Sequence, residues 1–460
     1  MNVVRANFDN IAASGAPSRL PFRQGLLAAR GHIVFILALL AAFALIFKLE
    51  GLADNFGAGA DPSTILAKES ERLPLRAPHA LNPAELNWGR TAWRYFATNI
   101  SPSTGLANAA DKYPSTTMWD VGSFLLAMIA AERTGIIDRA EFDSRTGFAL
   151  ASLGRMPLFD GALPNKAYNT DTLEMVDYDN HPTARGIGWS AIDLARLYVP
   201  LGIIARDYPG HSAAVQKILS RWDMNRVVVN GSLYGASVDN GQTKMHQEGR
   251  IGYEEYAAKA FIRGGHDAFA AWRTDDTMVL HKVSGIKVPV DNRAVDDWGA
   301  QVYSTSEPYV LDGLEFGFDT RSRVLAEQLY RAQESRYRKT GTLTAVSEGH
   351  IDRTPHFLYS TVYGNGSDWA VLTDKGERHD KLRTLSTKIA FALDALYNLP
   401  YTTRLLDAAA PLNDPKGGWL EGRYEADGKP NKIQTTNTNA IILESLHFRA
   451  FGPMVGRGVH

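Results

Sequence analysis

A chain of 460 residues, 45% hydrophobic and 22% charged, has ample material for a buried core and is not of the composition that stays disordered. Its formal net charge of −1, with basic residues clustered only near the N-terminus, lacks the footprint of a nucleic-acid binder. Cysteine is absent, which removes disulfides, thiolate catalysis, zinc–thiolate sites and iron–sulfur clusters.

The first element in the chain is the uncharged, mostly apolar run 31–47, bounded by Arg30 and Lys48. It is at the short end of the ~17–25 residues that span a bilayer. Arg5, Arg19, Arg23 and Arg30 precede it against the single acid Asp9, so the positive-inside bias keeps the N-terminus in the cytoplasm and exports the body. This gives a cytoplasmic segment 1–30, a transmembrane helix at 31–48 and a Gly/Ala/Pro-containing linker at 49–80. A cleaved signal is the rival reading, since Ala58-Gly59-Ala60 resembles a cleavage site, but that site lies well beyond the apolar run.

The folded body begins near Leu81 and runs to 452, leaving 453–460 as a tail. Asn82-Pro83 opens a helix with Leu86, Trp93, Tyr95 and Phe96 as apolar members. Further helices are expected at about 115–135, 138–153, 187–206, 211–224, 251–263, 306–317, 320–336, 380–397 and 436–450, with short strands at 342–346 and 356–363. No strict repeat relates them. Helices joined alternately by short turns and long loops suit an all-α toroid whose long loops gather at one end, with short β-hairpins in the loops.

The long loops combine aromatic, amide and carboxylate side chains. Aromatic faces stack on the C–H faces of pyranose rings, and amides and carboxylates hydrogen-bond the hydroxyls. The loop 154–186 is the densest case, with Tyr168, Asn169, Asp177 and Asp179, although any one Asn or Asp there serves equally as a turn former. Glu254 and Glu255 open a helix, where acids also favour the macrodipole. Glu307 stands just ahead of Pro308, a first-turn residue, and Glu315 lies about 80° around the same helix, so both can approach one groove. Glu348 lies in a polar loop, and Trp419, Glu421 and Tyr424 precede the last helix, which Asn437-Thr438-Asn439 begins and caps. Glycoside hydrolysis requires two carboxyl groups across the scissile bond. There is no phosphate-binding glycine loop, no His-Glu-x-x-His, no nucleophile elbow and no calcium-loop pattern, so neither a metal nor a cofactor is expected.

The stretch Tyr113-Pro114-Ser115-Thr116-Thr117-Met118-Trp119-Asp120-Val121-Gly122, the Asn165-to-Asn180 loop and Gly188-Trp189-Ser190-Ala191-Ile192-Asp193 together resemble a bacterial glucoamylase-like family without an assigned function. That family is distantly similar to β-1,2-glucanases and to the glucan-processing domain of cyclic β-1,2-glucan synthases. Glu307-Pro308-Tyr309, Gly313-Leu314-Glu315 and Asn437-Thr438-Asn439 extend the likeness over about 81–452. The resemblance implies an (α/α)6 toroid and a glycoside hydrolase or transglycosylase acting on an exported β-glucan from the periplasmic side of a bacterial inner membrane. In this reading Glu307 is the first candidate acid, with Glu255 or Asp179 as its counterpart. Trp119, Asp120, Tyr168, Asn169, Asp177, Glu254, Glu315, Glu348, Trp419 and Glu421 bind substrate. The competing readings are a non-catalytic glycan-binding partner of a membrane polysaccharide synthase or export complex, and a helical scaffold with no saccharide affinity.

Overall fold

The computed structural model describes residues 72–293, 295 and 301–456. The anticipated cytoplasmic segment, the transmembrane helix expected at 31–48, most of the linker and the end of the tail lie outside the described residues. Among the described residues no helix is long and apolar enough to cross a membrane.

Among the described residues twelve α-helices follow one another: α1 (Pro83–Asn99), α2 (Met118–Arg133), α3 (Arg139–Arg155), α4 (Ala191–Asp207), α5 (Pro209–Leu219), α6 (Tyr253–Arg263), α7 (Phe269–Trp272), α8 (Glu307–Leu311), α9 (Thr320–Thr340), α10 (Thr387–Tyr397), α11 (Pro400–Ala409) and α12 (Thr436–Phe451). Their sequences sort them into two kinds. All of α10 is buried, as are residues 121–131 of α2, and a helix without a polar face must be enclosed by protein. By contrast α1, α3, α5 and α11 each keep exposed polar residues along one side.

Packing follows that division. α2 lies against α4, α4 against α6, α6 against α8, α8 against α10, α10 against α12, and α12 returns to α2, closing a ring of six. The other six back the ring: α1 on α12, α3 on α2, α5 on α4, α7 on α6, α9 on α8 and α11 on α10. This is the expected (α/α)6 toroid.

Local chemistry starts the helices. Asn82 Oδ1 accepts from the backbone N–H groups of Ala84 and Glu85, while Glu85 returns to the Asn82 N–H. Thr117 and Asp120 make the same reciprocal cap on α2, and Thr435, rather than the following Asn437, caps α12. At the opposite end, Arg449 of α12 bridges Glu85 at 2.6 Å and Asp394 of α10 at 2.5 Å. Arg76 joins Asp394 at 2.7 Å, and the N–H groups of Arg76 and His79 donate to Leu396 and Arg449. The folded body therefore begins ahead of Leu81.

Short antiparallel strands fill the long loops, as expected, but not always where expected. The segment 342–346 is not a strand; Glu348–His350 is, paired with Phe357–Ser360. The helix expected at 380–397 begins only at Thr387, because Thr384–Ser386 is a strand paired with Gly422–Tyr424.

α2 and α4 touch backbone to backbone at Gly122. A Cβ there would stand 2.8 Å from the carbonyl carbon and oxygen of Arg196 and from the Leu197 nitrogen. In an open helix Gly→Ala is favourable by roughly 0.8–1.0 kcal/mol. Here the sign is expected to reverse: Gly122→Ala should lower stability by about 1–3 kcal/mol, measured from the midpoint of chemical denaturation.

Candidate active site at the mouth of the toroid

The six ring helices bring their N-termini to one end. Trp119, in the first turn of α2, donates from Nε1 to Asn437 Oδ1 of α12 at 3.2 Å, and its ring meets Tyr253 of α6 edge-on at 5.7 Å. Asn437 Nδ2 donates to Glu307 Oε1 of α8 at 2.6 Å. Glu307 Oε2 pairs with Lys388 Nζ of α10 at 2.5 Å and accepts from Ser347 Oγ at 2.8 Å. Below this layer the buried Arg196 guanidinium lies 5.3 Å from the Trp119 ring centre, so the mouth has an aromatic floor over a closed axis.

α4 supplies one wall. Ser190 caps the helix through the Asp193 N–H at 3.1 Å. Glu248 then accepts from the Ser190 hydroxyl at 2.7 Å and from the Ala191 N–H at 2.6 Å, so both its oxygens are fixed on the helix start. Asp193 remains half-buried in the concavity. Desolvation, reinforced by Glu248 and Asp120, pushes its carboxyl up to about 8. Asp120, 9% exposed, accepts from the Thr117 hydroxyl at 2.7 Å through Oδ2. Burial raises its carboxyl too, against the Thr117 hydroxyl, His350 and Lys388.

The opposite wall is the strand Glu348–His350. Burial pushes Glu348 up to about 7, opposed by Lys388, and holds His350 below its ordinary value. Lys388 is 1% exposed. Burial works against its charge, but Glu307, Glu421 and Glu348 together raise it above the usual lysine value. Tyr359, directly opposite Glu348 in the strand pair, stacks on Tyr303 at 4.4 Å.

Of the residues expected in the site, Trp119, Asp120, Glu307 and Glu348 meet at the mouth. Glu421 lies just behind the second wall, buried, accepting from the Thr438 hydroxyl at 2.7 Å and from Thr435. Asp179 is exposed on the rim. The others are corrected by their surroundings. Glu255 faces away, accepting from the Gly252 N–H at 2.6 Å and the Thr274 hydroxyl at 2.9 Å. Glu254 is taken up by Arg293 at 2.6 Å and Gln247 at 2.8 Å. Glu315 is sealed beneath the floor with Arg196. Tyr168 is a core strut, donating to the Pro157 carbonyl at 2.7 Å. Asn169 and Asp177 are turn formers, each accepting from backbone N–H groups two residues ahead. Trp419 is no sugar platform: it is 1% exposed, donates to the Trp88 carbonyl at 3.1 Å and packs on Phe391.

Sequence reasoning did not assign Asp193, Glu248, His350, Lys388, Asn437 or Tyr359 to the site. Two of them carried a local signal. Ser190-x-x-Asp193 is a helix-start pattern at a Gly-rich turn, and Lys388 is a charge in the first turn of a helix whose other residues, Thr387 and Asp394 apart, are apolar. Glu248 lies at the end of a strand pair and meets α4 only through the tertiary fold.

Comparison with known proteins agrees with this architecture. An endo-β-1,2-glucanase from Chitinophaga pinensis, solved with sophorotriose and glucose, superposes with a TM-score of 0.59 at 11% identity, covering 82% of this chain and 94% of that one. A candidate glucoamylase from Bacteroides caccae gives 0.58 at 13% identity, covering 81% and 94%. The endo-β-1,2-glucanase of Talaromyces funiculosus, solved with sophorose, gives 0.53 at 13% identity, covering 81% and 84%. At these identities the likeness is one of fold. No curated protein matches the sequence. Residues 87–452 match the family described as protein of unknown function (DUF3131), and the chain belongs to it.

The ion pair at the base of the mouth makes a test of this geometry. Lys388→Met leaves Glu307 buried without its cation and should cost about 3–5 kcal/mol in thermal or chemical denaturation. Adding Glu307→Gln should restore most of that loss, because the uncompensated charge is then gone; a double variant as unstable as the single one would refute the pairing.

Proposed function

From that family membership and the fold shared with the glucanases, we propose that the domain is a glycoside hydrolase or transglycosylase acting on a β-glucan. The observation that carries the reading is one concave mouth, floored by the Trp119 ring, in which burial pushes the Asp193 carboxyl up to about 8 and a second carboxyl, Asp120, is near enough to reinforce the shift. Asp193 is the acid that protonates the glycosidic oxygen. Asp120, whose hydrogen bonds to Thr117 both use Oδ2, acts through Oδ1 as nucleophile or as base toward water. Glu307, engaged by three donors, positions Asn437 and thereby Trp119.

Charge narrows the substrate. Asp120, Asp193, Glu248, Glu307, Glu348 and Glu421 outnumber the cationic and titratable-basic groups that act on them, which are Lys166, Lys388, His350 and the Arg196 guanidinium buried beneath the floor. An acidic polysaccharide would meet like charge, so a neutral glucan fits. The sophoro-oligosaccharides bound by the two glucanase neighbours favour a β-1,2 linkage. The apolar run at 31–47 with its arginine-rich leader supports tethering at the inner membrane with the domain in the periplasm, beside a polysaccharide synthase or export complex.

The full chain, incubated with linear and cyclic β-1,2-glucans beside β-1,3- and β-1,4-glucans, is expected to give shortened or ring-closed products by mass spectrometry. Asp193→Asn should slow turnover about 10²–10⁴-fold. Because only the protonated acid can donate, kcat/KM should fall as pH rises through about 8. Saturable binding without product from any glucan would replace catalysis by glycan holding, and neither binding nor product would refute both.

A further inference from the structure

Tyr178 is the most exposed large apolar side chain among the described residues, at 63%, and the chemistry above makes no use of it. Its backbone is nonetheless tightly built. Asp177 Oδ1 accepts from the N–H groups of Asp179 and His181, each at 2.9 Å, and the Asp177 N–H donates to the His181 carbonyl at 3.0 Å. Asn180 takes the left-handed conformation at φ +63°, Val176 bridges to Pro182, and the Tyr113 hydroxyl donates to the Tyr178 carbonyl at 3.4 Å. A tip closed in this way fixes the backbone and holds the ring in water, which contributes nothing to folding.

The tip is also aimed. It follows the strand Met175–Val176, which pairs with Ala167–Asn169, which pairs in turn with Ser115–Thr117, the strand that runs directly into Trp119 and Asp120. The Tyr178 hydroxyl lies within electrostatic reach of Asp193, Glu248 and Asp374, and of Tyr359 on the far wall. Tyr303 and Tyr359 stack there with their rings 27° from parallel. The loop thus reaches from the acid wall toward an aromatic pair on the other.

We propose that Tyr178 and the Tyr303–Tyr359 pair form an outlying glycosyl subsite, in which the Tyr178 ring covers the apolar face of a sugar unit beyond the scissile bond. Hydroxyls on the facing wall supply the polar contacts. Tyr178 is then a specificity-determining residue that selects for chain length. This rests on the glucan reading above, and the test separates the two.

The full-length Asp193→Asn variant, in which slowed turnover leaves the oligosaccharide intact during a reading, is titrated by tryptophan fluorescence with β-1,2-linked gluco-oligosaccharides from the disaccharide upward. Affinity should rise with length. Adding Tyr178→Ala should remove that rise, weakening long oligosaccharides about tenfold and leaving the disaccharide unchanged, while Tyr178→Phe should retain it because stacking needs only the ring. Equal affinity of the Tyr178→Ala variant and its parent at every length overturns the subsite alone, as does equal weakening at every length, which would mark a disturbed mouth. A parent that binds no oligosaccharide overturns the glucan reading and the subsite with it.

Discussion

The Arg196 guanidinium is the contact on which the ring depends. It is wholly buried on α4 and reaches Ser123 of α2 at 3.2 Å, Tyr256 of α6 at 3.1 Å and Glu444 of α12 at 2.7 Å, and it pairs with Glu315 in the turn that continues α8. Five of the six ring helices therefore meet on one side chain. Only arginine has enough donors in a fixed planar fork to do this; a lysine ammonium at the same place would serve fewer of them. Burying a cation and two carboxylates is costly, and an apolar plug of equal volume could be as stable. What the charged centre adds is direction, since each bond orients the helix that supplies it. The π-helical turn Asp312–Phe316 shows the demand, because one widened turn sets Glu315 on the axis and Gly317 closes it in the left-handed conformation.

Everything above that centre inherits its geometry. Arg196 lies under Trp119, Trp119 donates to Asn437, Asn437 to Glu307, and Glu307 pairs with Lys388. The sixth ring helix, which Arg196 does not reach, is joined through this upper chain. So many acids can gather there because the N-termini of six helices converge on the mouth. Each carries roughly half a positive charge, and Glu248 lies directly on one of them.

The fold was largely legible because ring and backing helices differ in pattern. The apolar runs of α2 and α12 and the loop between α3 and α4 can all be read from periodicity and from Gly, Asn and Asp content. What escaped was set by tertiary contact. α11 hides behind α10 because Asn398, in the left-handed conformation, leaves only Leu399 before Pro400. Trp419 and Tyr424 sit in a Gly-rich, polar segment that reads as an open loop, yet both are buried by pairing across the chain, Trp419 beneath Trp88 and Tyr424 through Asp352. Of the expected acids, Glu307 was found because Pro308 marks a helix start. Glu255 also stands in the first turn of a helix, but that helix turns it away from the mouth.

The two walls of the mouth also differ in electrostatic regime. Behind the Glu348 wall, Lys388 is shared among Glu307, Glu348 and Glu421, so one buried cation offsets several carboxylates. On the α4 wall Asp193 is governed by desolvation and by two like charges, Glu248 and Asp120, with Lys166 and the Ser190 hydroxyl too weak to offset them. A carboxyl in that position lowers its energy by keeping a proton; burial raises Glu348 as well, to about 7, but there Lys388 opposes the shift. Asp120 differs from Asp193 in the same sense, since burial raises it but the Thr117 hydroxyl, His350 and Lys388 oppose the rise, and such a difference between two carboxyls in one cavity is what acid–base division of labour requires. The division here follows from where the fold places a single lysine.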